Sequence, residues 1–277
     1  MIHPRNKYMA NLTQFLGLNQ RKDFPEPITF GLYNGNEIVF QTHRYPFFSS
    51  FVNGLRLLWR YGFDLLNLDP WINGVLSWYA KIYPAQQTDK LAFSSVYQLF
   101  HGLSSFFDDL VSSSIGDYLT KLGFGRLFQN ELARIAMRTN YGQDLDIQGF
   151  VGAVSLAGAQ GGLWSVEGGN FRVAEAALAN SKARLVKNRV TKVTEMKREG
   201  ESTLYRLTAV DDASAGLFSS TSEESHEYDA VVLAVPCTVR GCGDIAFEVE
   251  GIEAKLTKFP SSYHRTVANF VKVGEAY

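Results

Sequence analysis

Hydrophobic and polar positions change rhythm three times along this chain. Residues 28–41 hold two β-rich runs around Asn34-Gly35-Asn36. Asn-Gly favours positive φ, so the pattern predicts a tight hairpin. Residues 47–140 carry Leu, Phe, Trp and Tyr at three- and four-residue intervals. Val52, Leu55, Leu58, Trp59 and Phe63 make one stripe, Val75, Trp78, Tyr79 and Ile82 a second, and Phe124, Leu127, Leu132 and Ile135 a third. That period predicts amphipathic helices. Pro70 and Pro84 should mark breaks between them, because proline lacks the N–H that a helix interior uses. The first stripe also carries Arg56 and Arg60. Such a helix fits packing on a neighbour or lying in a membrane interface.

From residue 150 the texture turns to Gly, Ala and Ser as far as Asn170. Residues 171–179 predict a helix with Phe171, Ala174, Ala177 and Leu178 on one side. Strands are predicted over 183–196, 203–210 and 228–235, the first two joined by a polar turn at 197–201. The run Asp229-Ala-Val-Val-Leu-Ala-Val-Pro236 is apolar without alternation. Such a run predicts a strand buried on both faces, as in a parallel sheet covered by helices. Residues 212–225, rich in Ser and Glu, predict an exposed loop. Further short strands are expected over 245–277, including 266–273.

Composition narrows the function classes. Of 277 residues, 45% are hydrophobic and 20% charged, which supports a packed core. A net charge of −1 excludes the dense basic face of a nucleic-acid binder. The aromatic share is 13%, which fits either a large core or an apolar substrate chamber. Cys237 and Cys242 are the two cysteines. They form neither a disulfide scaffold nor a zinc set, and they read as two ordinary thiols. Met1-Ile-His-Pro-Arg-Asn6 has no basic and then apolar leader pattern, so no signal peptide is expected in it.

Chemistry enters at Gly168-Gly169-Asn170, just before the predicted helix at 171. A glycine pair there lets a ligand approach the free N–H groups of the helix end, though glycine pairs also simply make turns. The block Tyr141-Gly-Gln-Asp-Leu-Asp-Ile-Gln-Gly-Phe-Val-Gly-Ala-Val-Ser-Leu-Ala-Gly-Ala-Gln-Gly-Gly-Leu-Trp-Ser-Val-Glu-Gly-Gly-Asn170 strongly resembles the prenylcysteine oxidase (farnesylcysteine lyase) family. Ile2-His-Pro-Arg-Asn6, Trp59-Arg-Tyr-Gly62 and Tyr228-Asp-Ala-Val-Val232 resemble it in the same order.

The resemblance implies an α/β fold, with part of an FAD-binding domain of the two-dinucleotide-binding, amine-oxidase-like kind and an interleaved helical and β substrate domain. The implied division is 1–26 as an N-terminal flavin-domain remnant and 27–150 as a mainly helical substrate domain. Residues 151–240 would then return to the flavin domain, and 241–277 would begin a returning substrate-domain sheet. The implied reaction is FAD-dependent oxidation of the thioether of farnesyl- or geranylgeranylcysteine. Hydride leaves the prenyl C1 for the flavin, water adds to that carbon, and cysteine and a prenyl aldehyde separate. Molecular oxygen reoxidises the flavin to hydrogen peroxide.

The resemblance implies cofactor contacts at Gly168, Gly169, Asn170, Val190, Ala234, Val235 and Pro236. It places His3 and Asn6 near the flavin ring, with His3 either a proton shuttle and water-orienting group or merely an exposed terminal histidine. Trp164 is a candidate lining residue for the prenyl chain, and no metal is implied. A lysosomal, vacuolar or other endomembrane setting and peripheral membrane contact follow from the family alone. The family's G-x-G-x-x-G turn, which seats the pyrophosphate, does not occur in this sequence. The sequence therefore reads as a central fragment. A non-catalytic isoprenoid- or membrane-binding remnant and a flavin amine oxidase stand as alternatives.

Overall fold

The structure, a computed structural model, describes residues 1–21, 31–33, 36–43, 48–197, 203–211, 223–263 and 265–267. The chain is mixed α/β and divides into two compact units. The first is Met1–Ser181 with residues from Thr266 onward; the second is Lys182–Arg265.

The first unit is mostly helical. It contains α1 (Lys7–Phe15), the short strand β1 (Gln20–Arg21), and the antiparallel pair β2 (Gly31–Tyr33) and β3 (Ile38–Gln41). The predicted hairpin is thus present in its strands, while Asn34 and Gly35 lie outside the described residues. There follow α2 (Ser49–Tyr61), α3 (Asp64–Tyr79), α4 (Ile82–Gln87), α5 (Val96–Leu103), α6 (Phe106–Ser112) and α7 (Ile115–Lys121). Next, α8 (Arg126–Phe128) runs through a π-helical turn, Gln129–Ala133, into α9 (Arg134–Tyr141). The unit ends with α10 (Gly149–Ala157), β4 (Ser165–Val166) and α11 (Phe171–Ser181).

Side chains start several of these helices. Ser95, Ser114 and Gln148 accept hydrogen bonds from Gln98, Asp117 and Val151 backbone N–H groups, satisfying donors that a helix end leaves open. Helix α10 is the central one, with Gly149, Gly152, Ala153, Ser155, Leu156 and Ala157 buried. Its small residues permit close approach. A Cβ on Gly152 would stand 2.5 Å from Cβ of Ile115. Around α10 lie two apolar clusters. One is built on Phe128, Leu119, Ile115 and Met137, the other on Phe107, Leu110, Phe100 and Val75.

Three helical expectations need correction. Pro70 sits inside α3 and does not separate two helices. The packing of the α3 face on α2, α5 and α10 outweighs one missing backbone hydrogen bond. The first stripe does not face inward as a whole. Val52 and Leu58 are half-buried while Leu55, Trp59 and Phe63 are exposed, Trp59 at 92%, and the buried residue of α2 is Tyr61, outside the stripe. In α11 the covered side holds Val173, Ala176 and Ala177, and Phe171, Ala174 and Leu178 are exposed.

The second unit is built on a sheet of β5 (Asn188–Met196), β6 (Leu204–Asp211), β7 (Glu223–Tyr228) and β8 (Ala246–Glu248), in the order β7-β6-β5-β8. β5/β6 and β6/β7 are antiparallel; β5/β8 is parallel. The third strand differs from the prediction. It occupies 223–228, overlapping the end of the 212–225 stretch expected to be a loop and meeting the predicted 228–235 strand only at Tyr228, and the apolar run 229–236 is not a strand. β7 is an exposed edge, and the run that follows it finds no strand to pair with among the described residues, leaving Val232 89% exposed. Of the strand expected at 266–273, residues 266–267 are irregular and the remainder lies outside the described residues.

Cys237 and Cys242 are joined in a disulfide, which corrects the reading of two free thiols. The chain between them turns back through a Thr238–Gly241 bridge, with Gly241 at φ +133°, a conformation that favours glycine. The disulfide packs on Leu256, Phe247 and Ile252, and the Tyr263 hydroxyl donates to the Cys237 carbonyl at 2.9 Å.

Candidate functional site

The first unit holds a cavity of about 750 Å³. Its apolar walls come from α3 (Ile72, Val75, Leu76, Tyr79), from Ile82 and Tyr83 of α4, and from α10 (Ala153, Val154, Ala157) with Phe150 and Leu163. His3, Arg5 and Asn6 stand on the polar side, joined by Asn140, Tyr141 and Ser155. The volume lies in the range of small-molecule sites, as does a wall that is mainly apolar with a few convergent polar groups.

The N-terminal segment is pinned to the helices. Asn6 Oδ1 accepts the Met9 N–H at 3.0 Å and so starts α1. The Tyr83 hydroxyl donates to the Arg5 carbonyl at 2.9 Å and accepts the Lys7 N–H at 3.0 Å. On the other side Ile2 pairs with Trp164 through backbone hydrogen bonds of 2.7 and 3.0 Å.

A polar ring closes around His3. The Arg5 N–H donates to His3 Nδ1 at 3.2 Å, so the neutral imidazole carries its proton on Nε2 and donates to Gln160 Oε1, also at 3.2 Å. Gln160 Nε2 donates to Asp69 Oδ1 at 2.6 Å, and Asn73 Nδ2 donates to Asp69 Oδ2 at 3.0 Å. Arg5 completes the ring by donating Nη2 to Asn73 Oδ1 at 2.7 Å. His3 is therefore a half-buried hub with both ring nitrogens engaged.

Elsewhere on the wall, Asn140 Nδ2 donates to Ser155 Oγ at 2.9 Å, and that hydroxyl donates to the Ala136 carbonyl at 3.0 Å. Burial pushes the Tyr79 phenol above its ordinary value, with Tyr83 and Tyr8 adding to the shift, so Tyr79 presents a neutral hydroxyl. Tyr79, Phe100, Phe107 and Phe150 form a connected group of ring contacts, which stiffens this side of the cavity.

The residues singled out in the sequence fall in different places. His3 and Asn6 line the cavity; Leu163 does too. Trp164 is not among the lining residues and packs with Ile2 and Val166 in a small core. Gly168 and Gly169 turn the chain at φ +79° and +116°, immediately before α11. Asn170 Oδ1 accepts the Val166 N–H at 2.9 Å and holds that turn closed. In the second unit Val190 pairs with Ala209, next to a register shift, while Ala234, Val235 and Pro236 are exposed. Sequence reasoning missed Arg5, Asp69, Asn73 and Gln160. Of these only Asp69 and Asn73, four apart on α3, carried a spacing signal.

The fold and cavity define an α/β protein with a mainly apolar chamber that has a polar rim. The chain belongs to the prenylcysteine lyase family, whose model matches residues 48–275. It is 34% identical over 284 residues to prenylcysteine oxidase 1 of Mus musculus, a match covering 98% of this chain and 51% of that relative. Prenylcysteine oxidase 1 of Homo sapiens is 34% identical over 283 residues, with 98% and 51% covered. The prenylcysteine oxidase 1-like protein of Bos taurus is 32% identical over 271 residues, again with 98% and 51% covered. The chain spans about half the length of the curated relatives it matches.

Proposed function

We propose that this chain belongs to an FAD-dependent oxidoreductase that cleaves the thioether of farnesyl- or geranylgeranylcysteine. The products are cysteine, a prenyl aldehyde and hydrogen peroxide. The observation that carries the reading is the apolar cavity on α3 and α10 with a polar rim, in a chain of this family.

Ile72, Val75, Tyr79 and Phe150 take the prenyl chain, at about 0.8 kcal/mol of burial free energy per CH₂. His3, held in one tautomer, and Asn6 orient the reacting end and the water that adds to it. The flavin, when bound, accepts the two electrons and passes them to oxygen.

The family resemblance assigns the Gly168–Gly169 turn to a phosphate-bearing cofactor. A Cβ on Gly168 would stand 2.6 Å from Nε of Arg172, and one on Gly169 would stand 2.7 Å from the Phe171 ring, so the Arg172 and Phe171 side chains lie close over the two glycines. In the first turn of α11 the Arg172 and Val173 N–H groups donate to the Gly169 and Asn170 carbonyls at 3.2 and 3.1 Å, so an anion there would be met chiefly by the Arg172 side chain beside Gly168. In this reading Gly168, Gly169 and Asn170 contact the adenosine diphosphate portion, and Val190, Ala234, Val235 and Pro236 are cofactor contacts by family resemblance alone. The disulfide supports an oxidising setting, in keeping with a lysosomal, vacuolar or other endomembrane lumen. No described helix is long and apolar enough to cross a membrane. The exposed Phe51, Leu55 and Trp59 on α2 support peripheral contact with a lipid surface.

The test is to supply the chain with FAD and S-farnesylcysteine and follow oxygen uptake, farnesal and free cysteine. Farnesal and cysteine released in equal amounts support the reading. Oxidation of polyamines without farnesal would make the protein an amine oxidase. Isoprenoid binding with no flavin band in the visible spectrum would favour a non-catalytic binder.

A further inference from the structure

Among the described residues that line the cavity, Arg5 bears the one permanently charged side chain. Its guanidinium is held by neutral groups alone. Nη2 donates to Asn73 Oδ1 at 2.7 Å and Nη1 to the Asn73 carbonyl at 3.4 Å. No ion pair to Arg5 forms among the described residues. The nearest carboxylate in the ring, Asp69, is occupied by the amides of Gln160 and Asn73. The Asn73 amide thus stands between the two charges and bonds to each.

A guanidinium has five N–H donors in a planar fork that matches a carboxylate, and Asn73 takes only two of them. The Arg5 main chain is also fixed. Its N–H is bound to His3, its carbonyl to Tyr83, and Pro4 precedes it. A charge held on a fixed backbone at the edge of an apolar chamber is suited to an anionic amphiphile, with its tail inside and its head on the fork.

We propose that Arg5 binds the α-carboxylate of S-prenylcysteine and so selects the free amino acid over its carboxyl esters. This rests on the reading of the cavity as a prenylcysteine site. Arg5 fixes the head, which sets how deep the thioether sits between the N-terminal segment and α3. A carboxyl ester keeps the tail but loses the charge that the fork recognises.

The experiment measures binding to the full chain by titration calorimetry with three probes: S-farnesylcysteine, its methyl ester and farnesol. The expected result is about tenfold tighter binding of the acid than of the ester, in the range of one charge-assisted hydrogen bond. Arg5→Gln should abolish that preference and leave farnesol affinity unchanged, while Arg5→Lys should restore part of it. Arg5 is exposed, so both variants should keep the wild-type thermal transition. Equal affinity for acid and ester, or a preference that survives Arg5→Gln, overturns the role of Arg5 while farnesol binding keeps the cavity reading alive. Failure of all three probes to bind overturns both.

Discussion

His3 Nε2 lies 3.2 Å from the side-chain oxygen of Gln160, and this contact completes the assignment of the imidazole proton. Because Nδ1 already accepts the Arg5 N–H, the proton belongs on Nε2. The cost of moving it is the loss of two hydrogen bonds at once. Nitrogen-15 NMR of the neutral protein should show His3 as the Nε2–H tautomer, and Gln160→Leu should let the other tautomer grow. A His3 proton found on Nδ1 in the unsubstituted chain would contradict the ring of contacts.

Asp144 gives the fold a defined response to acid. Partial burial raises its carboxyl, but Arg134, the Leu145 N–H and Arg138 outweigh that and hold it at about 2, below the ordinary 3.8. A depressed carboxyl stabilises the fold above its unfolded pKa, and that stability is lost as pH falls through the folded value. The window is therefore from about pH 4 down to about pH 2. With the side chain 39% exposed, solvent screening reduces the contribution to about 1 kcal/mol. Urea titrations should find Asp144→Asn less stable at neutral pH by that amount and equal to the parent at the acid end of the window.

Gly152 tests the packing of the cavity's central helix. Its missing Cβ is what lets α10 rest on Ile115. Gly152→Ala gains helix propensity on an isolated helix but loses here, by about 1–3 kcal/mol of overpacking. Chemical denaturation should show a lowered midpoint at unchanged slope. A stabilised variant would mean that α10 and α7 do not approach as described.

The Cys237–Cys242 disulfide closes a short loop, so its effect should be local and about 2 kcal/mol. Alkylation of both thiols should occur only after reduction. Hydrogen exchange should then rise around Leu256 and Phe247, which pack on the disulfide. Thiols that react fully without reductant would contradict the bond.

Much of the first unit is legible in the sequence because its signal is local. Val75 and Ile82 are buried, on α3 and α4, as the pattern predicts, whereas Phe124 is buried outside any helix and Leu127 of the same stripe is exposed. Pro70 was misplaced because a proline rule counts one lost hydrogen bond and not the helices that cover α3. The run 229–236 was misread for a related reason. An apolar stretch becomes a buried strand only where neighbours exist, and composition does not supply them. The cysteine pairing depended on a turn through Gly241 that no spacing rule encodes. At the site, His3 and the aromatic helices could be named in advance. The ring could not, since it joins residues 3, 5, 69, 73 and 160, which only the folded chain brings together.

The central proposal is that a prenyl chain would occupy the chamber between the N-terminal segment and helices α3 and α10. Photo-crosslinking tests it most directly, with a farnesylcysteine analogue carrying a diazirine on its terminal isoprene unit, followed by peptide mapping. The account predicts adducts within 72–83 and 150–158, suppressed by excess S-farnesylcysteine. Competable labelling confined to other segments, with these two left unmodified, would contradict it.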